Sequence, residues 1–483
     1  MILTATKEKF RIALMGGMLL TTMAWAQQET PPPAAQGPGA PAPAFGQDLP
    51  APQVTQAPPV TSLDQSSLEP TIAARSFLQP GLHATESVNS NLGSNSNAVG
   101  ITRLLGSLDL TRLWSRYAFA ADYVGGAALY SDNWGQPSQV HEMAAAQRYA
   151  WRTGQLQACD HLTYLPEGSF GFSGFNGAGG STVGGSCGGS FGGGSSFGSV
   201  GQNPRLTNAA SLDLRESLSP RSSITAAVGY SFTDFLHSQA LATVNSHQES
   251  AQVGYSHVLN HFDQVGLQYG FEQFQFPQAS AGTIVAHTVE GLYEHQVSGR
   301  MDLTLAAGPE FILVRLPDTV VSVGGVPTLV PAHTLTELTA SARALLRYRF
   351  PRDTVSLSYN RHVTAGSGIQ LGSQTDEVRA TLGRPLTRLW TASVDVGYSH
   401  HEALQAAPVG GNGLGGTYQA GFGGGGLTRR LGRDFSLQMH YQYTYEYFAG
   451  AACTKIDCSS GHTFNRHIGD ITLSWHPAPI RLD

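Results

Sequence analysis

The sequence predicts an all-β chain, a transmembrane antiparallel β-barrel, on three observations. Apolar and polar residues alternate with period 2 through many segments of 10 to 14 residues. Very short turns and much longer loops follow one another in strict order along the chain. Only 13% of the residues are charged, about half the roughly 25% of an ordinary soluble domain. No apolar run long enough for a membrane helix follows the N-terminus. A net charge of −6 without a basic block argues against a nucleic-acid partner.

The first segment sets the compartment. Lys7, Lys9 and Arg11 precede the apolar stretch Ile12 to Trp25, which ends in Ala24-Trp25-Ala26. A positive region, a short apolar region and a small-x-small site read as an export signal over residues 1–26, cleaved before Gln27. Residues 27–76 are dominated by Pro and Ala and lack apolar periodicity. Such a segment has nothing to bury in a core and is expected to be a disordered, polyproline-II-like leader.

Strands follow from residue 77 onward. The clearest is 434–448, where Phe435, Leu437, Met439, Tyr441, Tyr443, Tyr445 and Tyr447 share one face. Ser436, Gln438, His440, Gln442, Thr444 and Glu446 share the other. The same alternation places strands at 77–89, 99–112, 117–130, 139–152, 155–167, 206–217, 222–235, 245–258 and 264–276. It continues at 284–297, 301–314, 335–350, 353–363, 375–384, 389–401, 416–429, 434–448 and 465–476. The phase slips between Phe271 and Phe274, which predicts a bulge at Glu272-Gln273. Full charges such as Asp109, Asp122, Asp213 and Asp470 stand mid-strand on the polar face. Strands of this length suit a tilted crossing of hydrocarbon better than a soluble sandwich.

Connections give the count. Eight turns are short and marked by Arg, Pro or Gly, for example Ser219-Pro220-Arg221, Ser298-Gly299-Arg300 and Leu431-Gly432-Arg433. The nine loops between them are longer, up to 168–205. That wiring implies 18 strands, of which the first, fourth and fifth are the weakest, with 16 as the alternative count. Lipid offers no partner to an open sheet edge, so the sheet must close.

On these features, and on the last strand Gly469-Asp470-Ile471-Thr472-Leu473-Ser474-Trp475, residues 77–483 resemble a Gram-negative outer-membrane β-barrel of porin-like size. The resemblance implies an outer-membrane location, contact with outer-membrane lipid, and insertion by the barrel-assembly machinery. Residues 27–76 would then lie in the periplasm, where they could meet a periplasmic partner. Barrels of this class usually finish with an aromatic residue; here Trp475 is followed by eight further residues, His476 to Asp483.

A barrel of this size has room for water. The expected function is passive passage of small polar solutes, with selectivity set by lumen charge. The basic candidates are Arg343, Arg347, Arg349 and Arg379; the acidic candidates facing them are Glu290, Glu294, Asp302, Glu310 and Glu337. The rival reading makes each a structural cross-strand pair. Two other functions fit the same barrel: a conduit for polysaccharide or other export, and a structural or adhesive surface barrel. The Gly-rich loop 168–202, with Phe170, Phe172, Phe175, Phe191 and Phe197, would either fold into the lumen or stay at the surface. In an exported chain Cys453 and Cys458 would close one loop as a disulfide, and Cys159 and Cys187 form a second candidate pair. The C-x4-C spacing lacks a partner pair for zinc, and no metal or other cofactor is expected. No nucleophile motif occurs: Gly229-Tyr230-Ser231 and its repeats do not continue to G-x-S-x-G, so no enzyme is expected.

Overall fold

A computed structural model describes residues 76–90, 98–131, 137–165, 204–236, 244–277, 282–323, 326–350, 353–366, 370–405, 416–449 and 462–482. The expected export signal, nearly all of the Pro-rich leader, the Gly-rich loop, Cys187, Cys453 and Cys458 lie outside these residues.

Along the first half run β1 (Phe77–Ser90), β2 (Ala98–Leu113), β3 (Tyr117–Tyr130), β4 (Ser138–Ala150), β5 (Gly154–Leu165), β6 (Arg205–Ser219), β7 (Ser222–Phe235), β8 (Ser246–Val258), β9 (Asp263–Gln275), β10 (Thr283–Ser298) and β11 (Met301–Leu316). The second half holds β12 (Thr319–Val323), β13 (Val326–Val330), β14 (His333–Arg349), β15 (Thr354–Thr364), β16 (Ser373–Pro385), β17 (Trp390–Ala403), β18 (Thr417–Arg430), β19 (Phe435–Ala449), β20 (His462–Trp475) and β21 (Ile480–Arg481). Each barrel strand pairs antiparallel with its neighbours in chain order, and β1 closes on β20 from Leu82↔Trp475 to Asn89↔Ile468. The result is a closed 18-strand barrel. β12 and β13 form a separate hairpin between the strands expected at 301–314 and 335–350.

The tail after Trp475 continues the wall. His476 N donates to Asp434 O (2.8 Å), and β21 pairs with the start of β1 through Phe77↔Arg481 and Leu78↔Ile480. Leu482 N donates to Ser76 O (3.3 Å). The residues that depart from the usual aromatic terminus thus extend the edge that β20 leaves on β1.

The burial order is inverted relative to a soluble fold. Large apolar side chains on the outer face are exposed: Leu82, Leu104, Leu267 and Tyr441 are each more than half exposed. Ser, Thr, Gln and charged side chains on the inner face are buried. Two rows of aromatic and polar residues frame the outer apolar band. At the turn end, Trp114 lies 5.0 Å from Tyr117 and Tyr149 lies 5.8 Å from Trp151, ring centre to ring centre. Toward the loop end, the phenols of Tyr123, Tyr269 and Tyr441 each hydrogen-bond with Nδ1 of a histidine on the next strand, His141 (2.9 Å), His287 (2.8 Å) and His467 (2.8 Å). In all three pairs the histidine stands opposite the residue two places after the tyrosine. Eight positions separate His141 from Tyr149, about 20 Å along the barrel axis at ~3.3 Å per residue and a tilt near 40°. That height is close to the ~25 Å apolar band of outer-membrane barrels.

The bulge expected at Glu272-Gln273 does not occur. β9 runs in continuous register with both β8 and β10. Register shifts fall instead between Ser217 and Ser219 and between Gln296 and Ser298, beside turns. Phe274 broke the apolar phase because it points inward, where it is fully buried.

Candidate functional site

The inner face of β9 to β11 and β14 to β17 carries the charged candidates. Glu290 on β10 is a buried hub. Gln268 Nε2 (2.5 Å) and Arg343 Nη2 (2.8 Å) donate to its Oε2, and Ser341 Oγ donates to Oε1 (2.5 Å). Ser341 and Arg343 reach it from β14, across the whole width of β11. The residue on β11 paired with Ser341 is Gly308, and a Cβ there would sit 1.7 Å from the Val289 carbonyl oxygen. The glycine lets two strands that are not neighbours share one ion pair.

Arg379 on β16 makes the second centre. Its Nε donates to Asp395 Oδ1 on β17 (2.9 Å), and Nη2 binds Oδ2 of the same carboxylate, a two-pronged pair. Both side chains are 1% exposed, and the guanidinium carbon lies 5.5 Å from the centre of the Phe422 ring. A third pair, Arg349 to Asp302 at 3.4 Å, is more open, with Arg349 42% exposed. Arg347 stands directly opposite Asp302. Glu310 accepts from Thr288 Oγ1 (3.4 Å), and Glu294 stands between Gln264 and Thr304 in register.

The expected geometry of facing acidic and basic walls therefore changes. β10 and β11 bear Glu290, Glu294, Asp302 and Glu310, and β14 with Arg343, Arg347 and Arg349 lies directly beside β11. Opposite charges meet along the wall, because antiparallel pairing puts chain-adjacent strands side by side. Glu337 is not among them: it is exposed on the upper part of β14, above Ala342, where pairing with β15 begins. Asp395 was not among the sequence candidates. It lies within the strand expected at 389–401, but only the register, with Arg379 opposite Gly397, shows which arginine it meets.

The lumen is also less uniformly polar than expected. At the loop end, Phe274, Phe276, Ile284, Ile312, Val363 and Leu371 pack together on the inside and are almost fully buried. Gly372, at φ +76°, turns the chain after β15 so that Leu371 joins this cluster; a Cβ at Gly372 would lie 2.1 Å from Ile284 Cδ1. A second inner apolar group, Val99, Ile101, Tyr130 and Val140 among others, caps β2 to β4.

The closure seam is different again. His83 bonds Ser474 Oγ through Nδ1 and Ser107 Oγ through Nε2, both at 3.0 Å, and Thr85 meets Thr472 at 2.9 Å. Cys159, buried on the inner face of β5, is disulfide-bonded to a residue outside the described ones. No cluster able to hold a metal ion occurs among the described residues.

No protein-family model matches the chain, and no curated protein matches it. Solved structures similar to it include the ferric-catecholate import receptor Fiu of E. coli K12 in its open form (8% identity, TM-score 0.42, covering 82% of this chain and 81% of that one). The outer membrane protein opdK of Pseudomonas aeruginosa is similar at 9% identity and TM-score 0.41, covering 83% and 98%. OccK2 (OpdF) of the same organism, in complex with glucuronate, is similar at 9% identity and TM-score 0.38, covering 84% and 98%.

Proposed function

We propose that this chain is an outer-membrane channel through which small polar solutes pass passively, guided by charge and without covalent chemistry. One observation carries the reading: a closed 18-strand barrel turns its apolar side chains outward and lines its interior with hydroxyls, amides and ion pairs. Hydrocarbon outside and water inside satisfy both faces at once. The buried charges Glu290, Arg343, Arg379 and Asp395 are held in pairs, so selectivity rests on the more open pair, Arg349 and Asp302, with Arg347 beside it. The barrel-assembly machinery would insert the chain, and the Pro-rich segment would reach a periplasmic partner.

The test is conductance of the purified full chain in planar bilayers. Discrete, ohmic steps are expected. A barrel that is folded, as shown by its resistance to unfolding in detergent at room temperature, yet passes no current would overturn the proposal. Deleting residues 27–72 should leave the step size unchanged and abolish only contacts made in the periplasm.

A further inference from the structure

We infer that the turn end of the barrel is an electrostatic collar for anionic phospholipid headgroups in the leaflet it faces. The inference rests on the barrel spanning a bilayer and not on what passes through it.

Nearly every described turn at this end exposes an arginine: Arg116, Arg152, Arg221, Arg300, Arg388 and Arg433. None of the six is ion-paired among the described residues. Three more stand just above the turns on the outward, lipid-facing side, namely Arg112, Arg384 and Arg429. Two of these lie over aromatic rings of the lower row, Arg112 at 5.2 Å from the centre of Trp114 and Arg429 at 5.2 Å from Trp390. Arg384 contacts Asp353 at 3.4 Å but is 55% exposed.

The carboxylates nearby are occupied. Glu216 accepts from Trp151 Nε1 (2.7 Å), and Asp263 accepts from Asn260 Nδ2 (2.7 Å) and the Tyr293 phenol (2.8 Å). These carboxylates keep their charge but are engaged locally, and the arginines of the rim outnumber them. At the loop end the outward face carries the opposite mixture: Asp234, Glu249, Asp376 and Glu402, with Arg361 tied to Asp376 at 3.1 Å.

Distribution decides the occupant. A folded protein partner would touch one sector of the rim, whereas these arginines recur around the circumference, from the β2–β3 turn to the β18–β19 turn. Only a leaflet meets the whole circle. Short turns mark the periplasmic side of such barrels, so the leaflet is the inner one of the outer membrane. Guanidinium beside Trp, at the level where the apolar band ends, suits a phosphate held at the headgroup boundary.

The experiment uses the full chain in vesicles of phosphatidylcholine alone and of phosphatidylcholine with phosphatidylglycerol. Retained lipid is counted by native mass spectrometry after gentle detergent extraction. Wild type should retain phosphatidylglycerol in preference, and the preference should fade in high salt. The triple variant Arg112→Gln/Arg384→Gln/Arg429→Gln should lose about fivefold in preference per arginine, while the corresponding Lys variant keeps most of it. Conductance should be unchanged in both variants, which separates this result from the channel reading. Equal retention of the two lipids by wild type, or a preference that survives the Gln substitutions, would overturn the inference.

Discussion

Two stretches of the lumen wall solve the same problem in different ways. Where β1 meets β20 and β2, His83, Thr85, Ser107, Thr472 and Ser474 line the interior and bond to one another across adjacent strands at about hydrogen-bond distance. From β9 to β17 the wall carries full charges, and these reach across a strand, as Arg343 does to Glu290, or lock in a buried two-pronged pair, as Arg379 does with Asp395. A neutral hydroxyl pair is worth about 1 kcal/mol, and a buried hydroxyl left without its partner costs about 1–3 kcal/mol. A buried charge that loses its partner is costly, because the remaining group can neither leave nor find water. The first stretch should therefore tolerate substitution better than the second.

The sharpest break of this contrast is Asp395→Ala, which strands Arg379 at 1% exposure. The expected loss is about 3–5 kcal/mol, read as a collapse of the folded band that resists unfolding in cold detergent gels. Next comes the apolar cap inside the same stretch. Ile284→Ala removes a fully buried side chain among Phe274, Ile312 and Leu371 and should cost about 2–5 kcal/mol in thermal unfolding. The seam counterpart, Thr472→Val, breaks only the bond to Thr85 and should cost about 1–3 kcal/mol in the same assay. A loss for Thr472→Val as large as that for Asp395→Ala would erase the distinction between the two walls. Smallest in stability, yet visible in function, is Arg347→Gln/Arg349→Gln at the open pair. It should leave unfolding nearly unchanged and shift the reversal potential in a salt gradient toward cations; an unmoved potential would mean that these side chains do not face the permeating ions.

Much of the wall was legible from alternation alone. The expected strands 117–130 and 222–235 coincide with β3 and β7, and elsewhere the ends differ by up to three residues, as at His462. Period 2 also separates the two faces correctly for β19, since a strand has only two sides. What alternation does not carry is register. That Asp395 meets Arg379, that Gly308 opens a passage between Ser341 and Glu290, and that acidic and basic strands lie side by side all depend on which residues stand opposite one another. The inner apolar caps leave a trace in the sequence. The run Ile284-Val285-Ala286 and the phase slip at Phe274 mark places where both faces are apolar, and in a barrel that is where the inside packs dry near a rim. The arginines of the turns are also plain in the sequence, but that Glu216 and Asp263 bond elsewhere, and that Asp353 meets Arg384, appears only in the structure.

The inverted arrangement of the wall is tested most directly on β19. Single cysteines placed in turn from Tyr441 to Glu446, spin-labelled in vesicles, report whether each position meets oxygen dissolved in lipid or a nickel chelate dissolved in water. Positions 441, 443 and 445 should be reached by oxygen, and positions 442, 444 and 446 by the chelate or by neither. Chelate access at 441, 443 and 445, or no alternation along the strand, would contradict a barrel with its apolar face in hydrocarbon.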